Sequence, residues 1–194
     1  MKKIIFSFLL SATAILSSNA LEPVKGYRGF FELSNSLTSY PTYDMANEKF
    51  GRDYYWYTGF STSHGYQFNP HFFLGAGVSV EGYYEDGGLA LLVPIFLQVR
   101  TDQTWGKFTP YGDLRVGYNV HTAPTGYFVS PSVGYRFNWG RKMNANVGIG
   151  LSYMTQNCDI WQIVYDEVDG YQPYHYGKET LSKFYFTLRF GIDF

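Results

Sequence analysis

Apolar and polar residues alternate with a period of two along most of the chain beyond residue 25. One parity reads Leu74, Ala76, Val78, Val80; then Val93, Ile95, Leu97, Val99; then Leu114, Val116, Tyr118, Val120. It goes on as Val129, Pro131, Val133, Tyr135, Phe137, as Ala145, Val147, Ile149, Leu151, Tyr153, and as Phe184, Phe186, Leu188, Phe190, Ile192, Phe194. Successive side chains of an extended chain point to opposite faces, so each run predicts a strand with one greasy face. Breaks carrying Gly, Pro or polar residues divide the chain into eight segments, near 26–36, 54–68, 71–83, 90–101, 108–120, 126–138, 144–154 and 183–194. No segment sustains a 3.6-residue apolar period, so no helix is predicted.

The opposite parity decides what the greasy face touches. It reads Gly75, Gly77, Ser79, Glu81; Gln98, Arg100; Asp113, Arg115, Gly117, Asn119; Ser130, Ser132, Gly134, Arg136; and Asn146, Gly148, Gly150, Ser152. A strand facing water normally carries Lys, Glu and Thr, and sheet edges are protected with Lys. Here lysines sit only near strand ends and in connections, and small residues alternate with large charged ones, with glycines leaving room for guanidinium groups. That composition suits a confined lumen, which turns the greasy face outward into lipid. Strands of about ten tilted residues span the hydrocarbon, and only a closed barrel leaves no backbone group unpaired there. The fold expected is therefore all-β: a transmembrane, up-and-down antiparallel barrel of eight strands. A soluble barrel with the same alternation is the competing fold.

Eight strands enclose a bore that side chains can just fill, so the lumen is expected to be plugged. Its charges are Arg28, Glu32, Glu81, Arg100, Asp113, Arg115, Arg136, Arg189 and Asp193, five arginines against four carboxylates. Counting upward from the end that holds both termini pairs Arg28 with Asp193 and Glu32 with Arg189. Asp113 and Arg115 fall at middle depth, Arg100 and Arg136 lower, and Glu81 higher.

The first residues place the chain in the cell. Met1-Lys2-Lys3 is a short basic region, Ile4 to Leu16 is apolar, and Ser18-Asn19-Ala20 supplies small residues for cleavage. Residues 1–20 read as a signal peptide and 21–194 as the barrel domain. Cleavage removes two of the 15 cationic residues, leaving 13 against 16 acidic ones, a net charge of −3. With no basic stripe, nucleic acid is not an expected partner. Cys158 is the sole cysteine, which excludes a disulfide framework and reads as an unpaired loop thiol. Aromatic residues make up 21% of the chain, a share that favours strands.

The signal peptide, the segments GYQFNPHFFLGAGVSV and VPIFLQVR, and the ending FTLRFGIDF resemble the small outer-membrane β-barrel proteins of Gram-negative bacteria, the group of OmpX and the barrel half of OmpA. The resemblance covers essentially all of residues 21–194. It implies residence in the outer membrane among lipid and lipopolysaccharide, as a monomer. It also implies that Phe194, with the alternating Phe184, Phe186, Leu188, Phe190 and Ile192, is the signal read by the barrel-assembly machinery. No periplasmic domain is expected, so the cell-wall anchoring of full-length OmpA is not expected to carry over.

Turns are expected near Asn69-Pro70, Thr101 to Lys107 and Asn138 to Lys142. A girdle of Tyr66, Phe68, Phe72, Tyr135, Phe137 and Trp139 flanks two of them. The opposite end carries a long loop around 37–53, short ones at Glu85-Asp86-Gly87-Gly88 and His121 to Thr125, and a fourth from 155 to 182. Within the fourth, Asp159 to Tyr165 alternates again and predicts a protruding hairpin after an irregular Gln156 to Cys158. Tyr40, Tyr43, Trp161, Tyr165, Tyr171, Tyr174 and Tyr176 would offer low-entropy contact area to a host molecule or surface protein, or extend the girdle against lipopolysaccharide.

Chemistry is not evident. Ser61, Ser63 and His64 come nearest to a nucleophile set, but Ser63 and His64 fall on opposite faces and at the end away from the extracellular rim. Val168 breaks the ligand spacing of Asp166, Glu167 and Asp169, and His71, His121 and His175 lie in separate connections, so neither metal nor cofactor is expected. A structural or surface-interaction role follows, rather than an enzyme, with a small diffusion pore as the alternative.

Overall fold

The computed structural model describes residues 25–44, 49–85, 88–103, 109–120, 125–138, 143–166 and 170–194. The proposed signal peptide, Trp139 and His121 lie outside them. The strands are β1 Gly26–Asp44, β2 Lys49–Asn69, β3 Phe72–Glu85, β4 Gly88–Leu92, β5 Pro94–Asp102, β6 Thr109–Asn119, β7 Gly126–Asn138, β8 Asn144–Asp166 and β9 Gly170–Asp193. All pairings are antiparallel, and β9 returns to β1, so the sheet closes on itself.

The β4 and β5 strands occupy one position in the wall. Both pair with β3 on a single register, Leu92 opposite Glu81 and Ile95 opposite Val78. The ladder is interrupted only where Pro94 has no N–H to give. Pro131 interrupts the β7–β8 ladder in the same way, between Val129↔Tyr153 and Ser132↔Gly150. The result is a closed, eight-stranded up-and-down barrel, as the alternation predicts.

Two hairpins run farther than the greasy pattern. The β1–β2 ladder continues from Leu37↔Trp56 to Asp44↔Lys49, so most of the expected loop 37–53 is strand. The β8–β9 ladder continues to Asp166↔Gly170, so 155–166 and 170–182 are strand too. Residues Gln156 to Cys158, expected to be irregular, pair regularly with Leu181, Thr180 and Glu179. The irregularity lies higher, where Ile160 faces Gly177 and Trp161 faces His175, leaving Tyr176 as the extra residue of a bulge. These extensions carry polar residues and tyrosines, which favour strands without any apolar face.

At the lower end, where β1 begins and β9 finishes, Asn69 and Phe72 close the β2–β3 turn, and the His71 amide donates to Asn69 Oδ1 at 2.8 Å. The seam between β1 and β9 sets Phe30 opposite Asp193 and Ser34 opposite Arg189. This is a stagger of two residues from simple counting, which puts Arg28 opposite Asp193 and Glu32 opposite Arg189.

Burial is inverted relative to a soluble protein. Large apolar side chains of the wall stand outside, with Leu97 at 63% and Phe184 at 69% exposure, while Arg100 is 1% and Asp102 0% exposed. Tyr66, Phe68, Phe72 and Tyr135 are exposed near the lower rim.

Candidate functional site

The feature that distinguishes this barrel is its interior, which is built in layers from the inward parity of every strand. In the lowest layer Arg28 bridges two carboxylates, its Nη1 at 2.6 Å from Asp102 Oδ2 and its Nη2 at 2.9 Å from Asp193 Oδ2. Its Nη1 also donates to Gln67 Oε1 at 2.8 Å. Arg136 approaches the same two carboxylates at 3.6 Å and 3.5 Å. Arg100 adds its Nε at 3.4 Å from Asp102 Oδ1. The Arg100 guanidinium also lies over two rings, 3.5 Å from the Tyr111 centroid and 4.8 Å from that of Phe30. Stacking of this kind suits a planar, weakly hydrated cation.

Above this layer Asp113 accepts from Arg115 Nε at 3.1 Å and from Arg189 Nη1 at 3.3 Å, and from Gln98 Nε2 as well. Arg115 donates its Nη2 to Glu32. Arg189 donates to Ser132 Oγ at 2.8 Å and to Ser130 Oγ. A run of hydroxyls continues from there along the inner wall over the neighbouring strands β7, β8, β9 and β1, Ser130 to Ser152 at 2.6 Å, Ser152 to Thr187 at 3.3 Å and Thr187 to Ser36 at 2.9 Å. Higher still, Tyr57, Tyr83, Leu92, Phe96, Phe128, Met154 and Tyr185 form a buried apolar cluster.

All nine charged residues read from the sequence as luminal therefore point inward, but two readings need correction. The Arg28–Asp193 pair forms, whereas Glu32 pairs with Arg115 and Arg189 turns to Asp113, because the stagger raises Arg189 relative to Glu32. The glycines make room for rings, for carboxylate stems and for the close approach of the neighbouring strand's carbonyls, not for guanidinium groups. A Cβ on Gly134 would lie 2.6 Å from Tyr111 Cζ, one on Gly77 2.6 Å from Phe96 Cζ, and one on Gly59 2.6 Å from Glu81 Cγ. Sequence reasoning also missed Asp102, the fifth carboxylate and the most shared, since it lies at the strand end beside a turn. The alternation signal extended one step, from Gln98 and Arg100 to Asp102, would have found it.

The C-terminus forms a second site of contact. Gly29 N–H donates to Phe194 O at 3.0 Å and Phe194 N–H returns to Gly29 O at 3.1 Å, extending the seam by one more residue pair. The Phe194 ring lies over Gly29 on the outer face, where an added Cβ would sit 2.8 Å from its Cζ. Beside it His64 Nδ1 is 2.6 Å from Tyr27 Oη, and its Nε2 is 2.9 Å from Thr62 Oγ1. His64 therefore faces out while Ser61 and Ser63 face in, which separates the three members of the nucleophile set.

No model of a protein family matches the chain, and no curated relative does either. Among solved structures, it is similar to the outer membrane protein OprG from Pseudomonas aeruginosa, with a TM-score of 0.48 and 10% identity over 90% of this chain and 99% of that one. A FadL homologue from Pseudomonas aeruginosa gives a TM-score of 0.37 and 15% identity, over 90% of this chain and 50% of that one.

Of the residues expected to form an upper binding surface, the backbones of Tyr40, Tyr43, Trp161, Tyr165, Tyr171, Tyr174 and Tyr176 belong to the two long hairpins. Their side chains lie outside the described residues, as does that of Cys158. Residues 167–169, with Glu167 and Asp169, also lie outside. Among the described residues no group of three or more His, Cys, Asp or Glu could hold a metal.

Proposed function

We propose that the chain is an integral outer-membrane barrel of structural and surface-interaction type, with a lumen sealed by its arginine–carboxylate network. The observation that carries this reading is the outer apolar band. Phe184 to Phe194 covers eleven residues, the last ten of β9 and the terminal Phe194 that continues its ladder. At about 3.3 Å per residue and a tilt near 40°, that is roughly 28 Å of height, close to the ~25 Å apolar band of outer-membrane barrels. On β8 the outward positions stay apolar from Val147 to Tyr153 and turn polar at Thr155 and Asn157.

The extended hairpins support the surface role. The β8 strand has 23 residues, about 75 Å along its own axis, so more than half of it rises above the band. Its partners in this reading are lipid, lipopolysaccharide and a host or surface protein. Phe194, seated on Gly29 at the seam, is the part read by the assembly machinery. The layered interior weighs against a diffusion pore, and the separation of His64 from Ser61 and Ser63 weighs against a hydrolase.

The test is fractionation combined with gel mobility. The full chain expressed in a Gram-negative host should appear in the outer-membrane fraction, and unheated samples should migrate differently from boiled ones. Recovery in the soluble periplasm, with mobility indifferent to boiling, would refute the reading.

A further inference from the structure

The lumen is not evenly filled. Between the ion-paired layer and the apolar cluster lies a cavity with about 40 Å³ of space open to the centre of a water molecule. Since one water takes ~10–15 Å³ on this measure, the space suits about three waters or a ligand of similar size. Its lining combines three chemistries: six serines, the carboxylate of Glu81, and the rings of Phe96, Phe128 and Tyr185.

Charge separates this layer from the one below. Arg115 and Arg189 form its floor and are already tied to Glu32, Asp113, Ser130 and Ser132. Glu81 is different. Its only hydrogen-bond partner among the described residues is Ser79 Oγ, at 3.3 Å, and no ion pair reaches it. Across the bore five guanidiniums face five carboxylates, and Glu81 is the carboxylate of the five that makes no ion pair among the described residues. The rings beside it are of a kind that accepts cations, and Phe96 already has the Arg115 Cζ 5.0 Å from its centroid.

We propose that the cavity above the ion-paired layer binds a small organic ammonium ion, with Glu81 taking the charged group and Phe96, Phe128 and Tyr185 packing its apolar part. The serine hydroxyls accept the remaining N–H groups. The ion-paired layer closes the site from below, so the ligand enters and leaves past the apolar cluster, whose Phe96, Phe128, Met154 and Tyr185 line the cavity, and is not passed through. This occupant is preferred to a metal ion because one carboxylate and neutral hydroxyls form a poor ligand set for a hard divalent cation, while carboxylate and aromatic rings together match an alkylammonium.

Met154 lines the same cavity and supplies the probe. The refolded full-length barrel, ¹³C-labelled at methionine methyl groups, is titrated with ethylammonium chloride, with sodium acetate and ethanol as contrasts. The Met154 resonance is assigned by its absence in Met154→Leu. A ligand of three heavy atoms binds no tighter than about 0.5 mM. The expected result is a saturable shift with ethylammonium alone, weakened about tenfold or more in Glu81→Gln, as loss of a charge-assisted contact implies. Should that variant fail to refold, Phe128→Leu is expected to weaken binding severalfold while keeping the shift saturable. No saturable shift with ethylammonium would overturn the proposal. So would an equal response to acetate or ethanol, or undiminished binding in a folded Glu81→Gln protein.

Discussion

Asp102 offers the sharpest perturbation of the interior, because three guanidiniums converge on it. Arg28, Arg100 and Arg136 stand 2.6, 3.4 and 3.6 Å from its oxygens, and its side chain is fully buried. Asp102→Ala leaves those three cations facing Asp193 alone. Removing one partner from a buried ion pair costs about 3–5 kcal/mol, and the shorter Arg28 contact alone is a charge-assisted bond of about 1.5–3 kcal/mol. A loss near 4 kcal/mol is expected. With a urea slope of about 2 kcal/mol/M, the unfolding midpoint in lipid vesicles should fall by about 2 M. Salt should not restore it, because ions screen buried pairs poorly. Asp102→Asn keeps one acceptor and should fall between the two. The assay is tryptophan fluorescence across a urea series after full equilibration. A midpoint shift below about 0.5 M, the size of an exposed ion pair, would refute the view that this layer holds the barrel together.

Glu81→Ala should be the mild case, shifting the same midpoint by less than about 0.5 M, since Ser79 is its one bonded partner among the described residues; an effect as large as that of Asp102→Ala would contradict the view that Glu81 stands outside the ion-paired network. Gly148→Ala crowds the Tyr111 hydroxyl and should cost about 1–3 kcal/mol by overpacking, read on the same urea series, with Tyr111→Leu as the rescuing second change. Deleting Phe194 removes one rim aromatic and two seam hydrogen bonds, so it should lower stability by only a few kcal/mol while reducing the amount assembled in cells far more; normal outer-membrane levels would count against its role as an assembly signal. Amide exchange should be slow at Asn157 to Ile160, where the ladder is continuous, and uniformly fast exchange there would remove the projecting hairpin.

The wall is legible in the sequence because an apolar outer face on one side and a crowded bore on the other force strict alternation, and the period of two fixes which residues share a face. Leu97 and Arg100 needed no structure to be assigned to opposite faces. Partners within the bore were harder. The ladder gives each residue its neighbours, but the two-residue stagger at the β1–β9 seam is a property of closure and cannot be read from any one strand. That stagger turned Arg189 from Glu32 to Asp113. The β1–β2 extension reads as a loop because its strands carry no continuous apolar face, whereas the alternation of Asp159 to Tyr165 does point to the β8–β9 hairpin. The luminal aromatics Phe30, Phe73, Tyr111 and Phe128 were hidden for a related reason: in a sequence whose outward face is also aromatic, a ring on the inward parity looks like noise until the glycine beneath it is seen. Pro94 and Pro131, which would ordinarily argue against a wall strand, are accommodated without any change of register.

The central claim is a membrane-embedded barrel closed to ions, and electrical recording tests it most directly. Protein refolded into lipid, its insertion verified by the mobility shift between unheated and boiled samples, is fused into a planar bilayer in concentrated potassium chloride. Two charged layers and an aromatic cluster stacked across the bore of eight strands predict no steady conductance. Asp102→Ala, where it folds, should produce brief openings. Stable, long-lived channels from the unaltered protein would contradict the account and establish the bore as a pore.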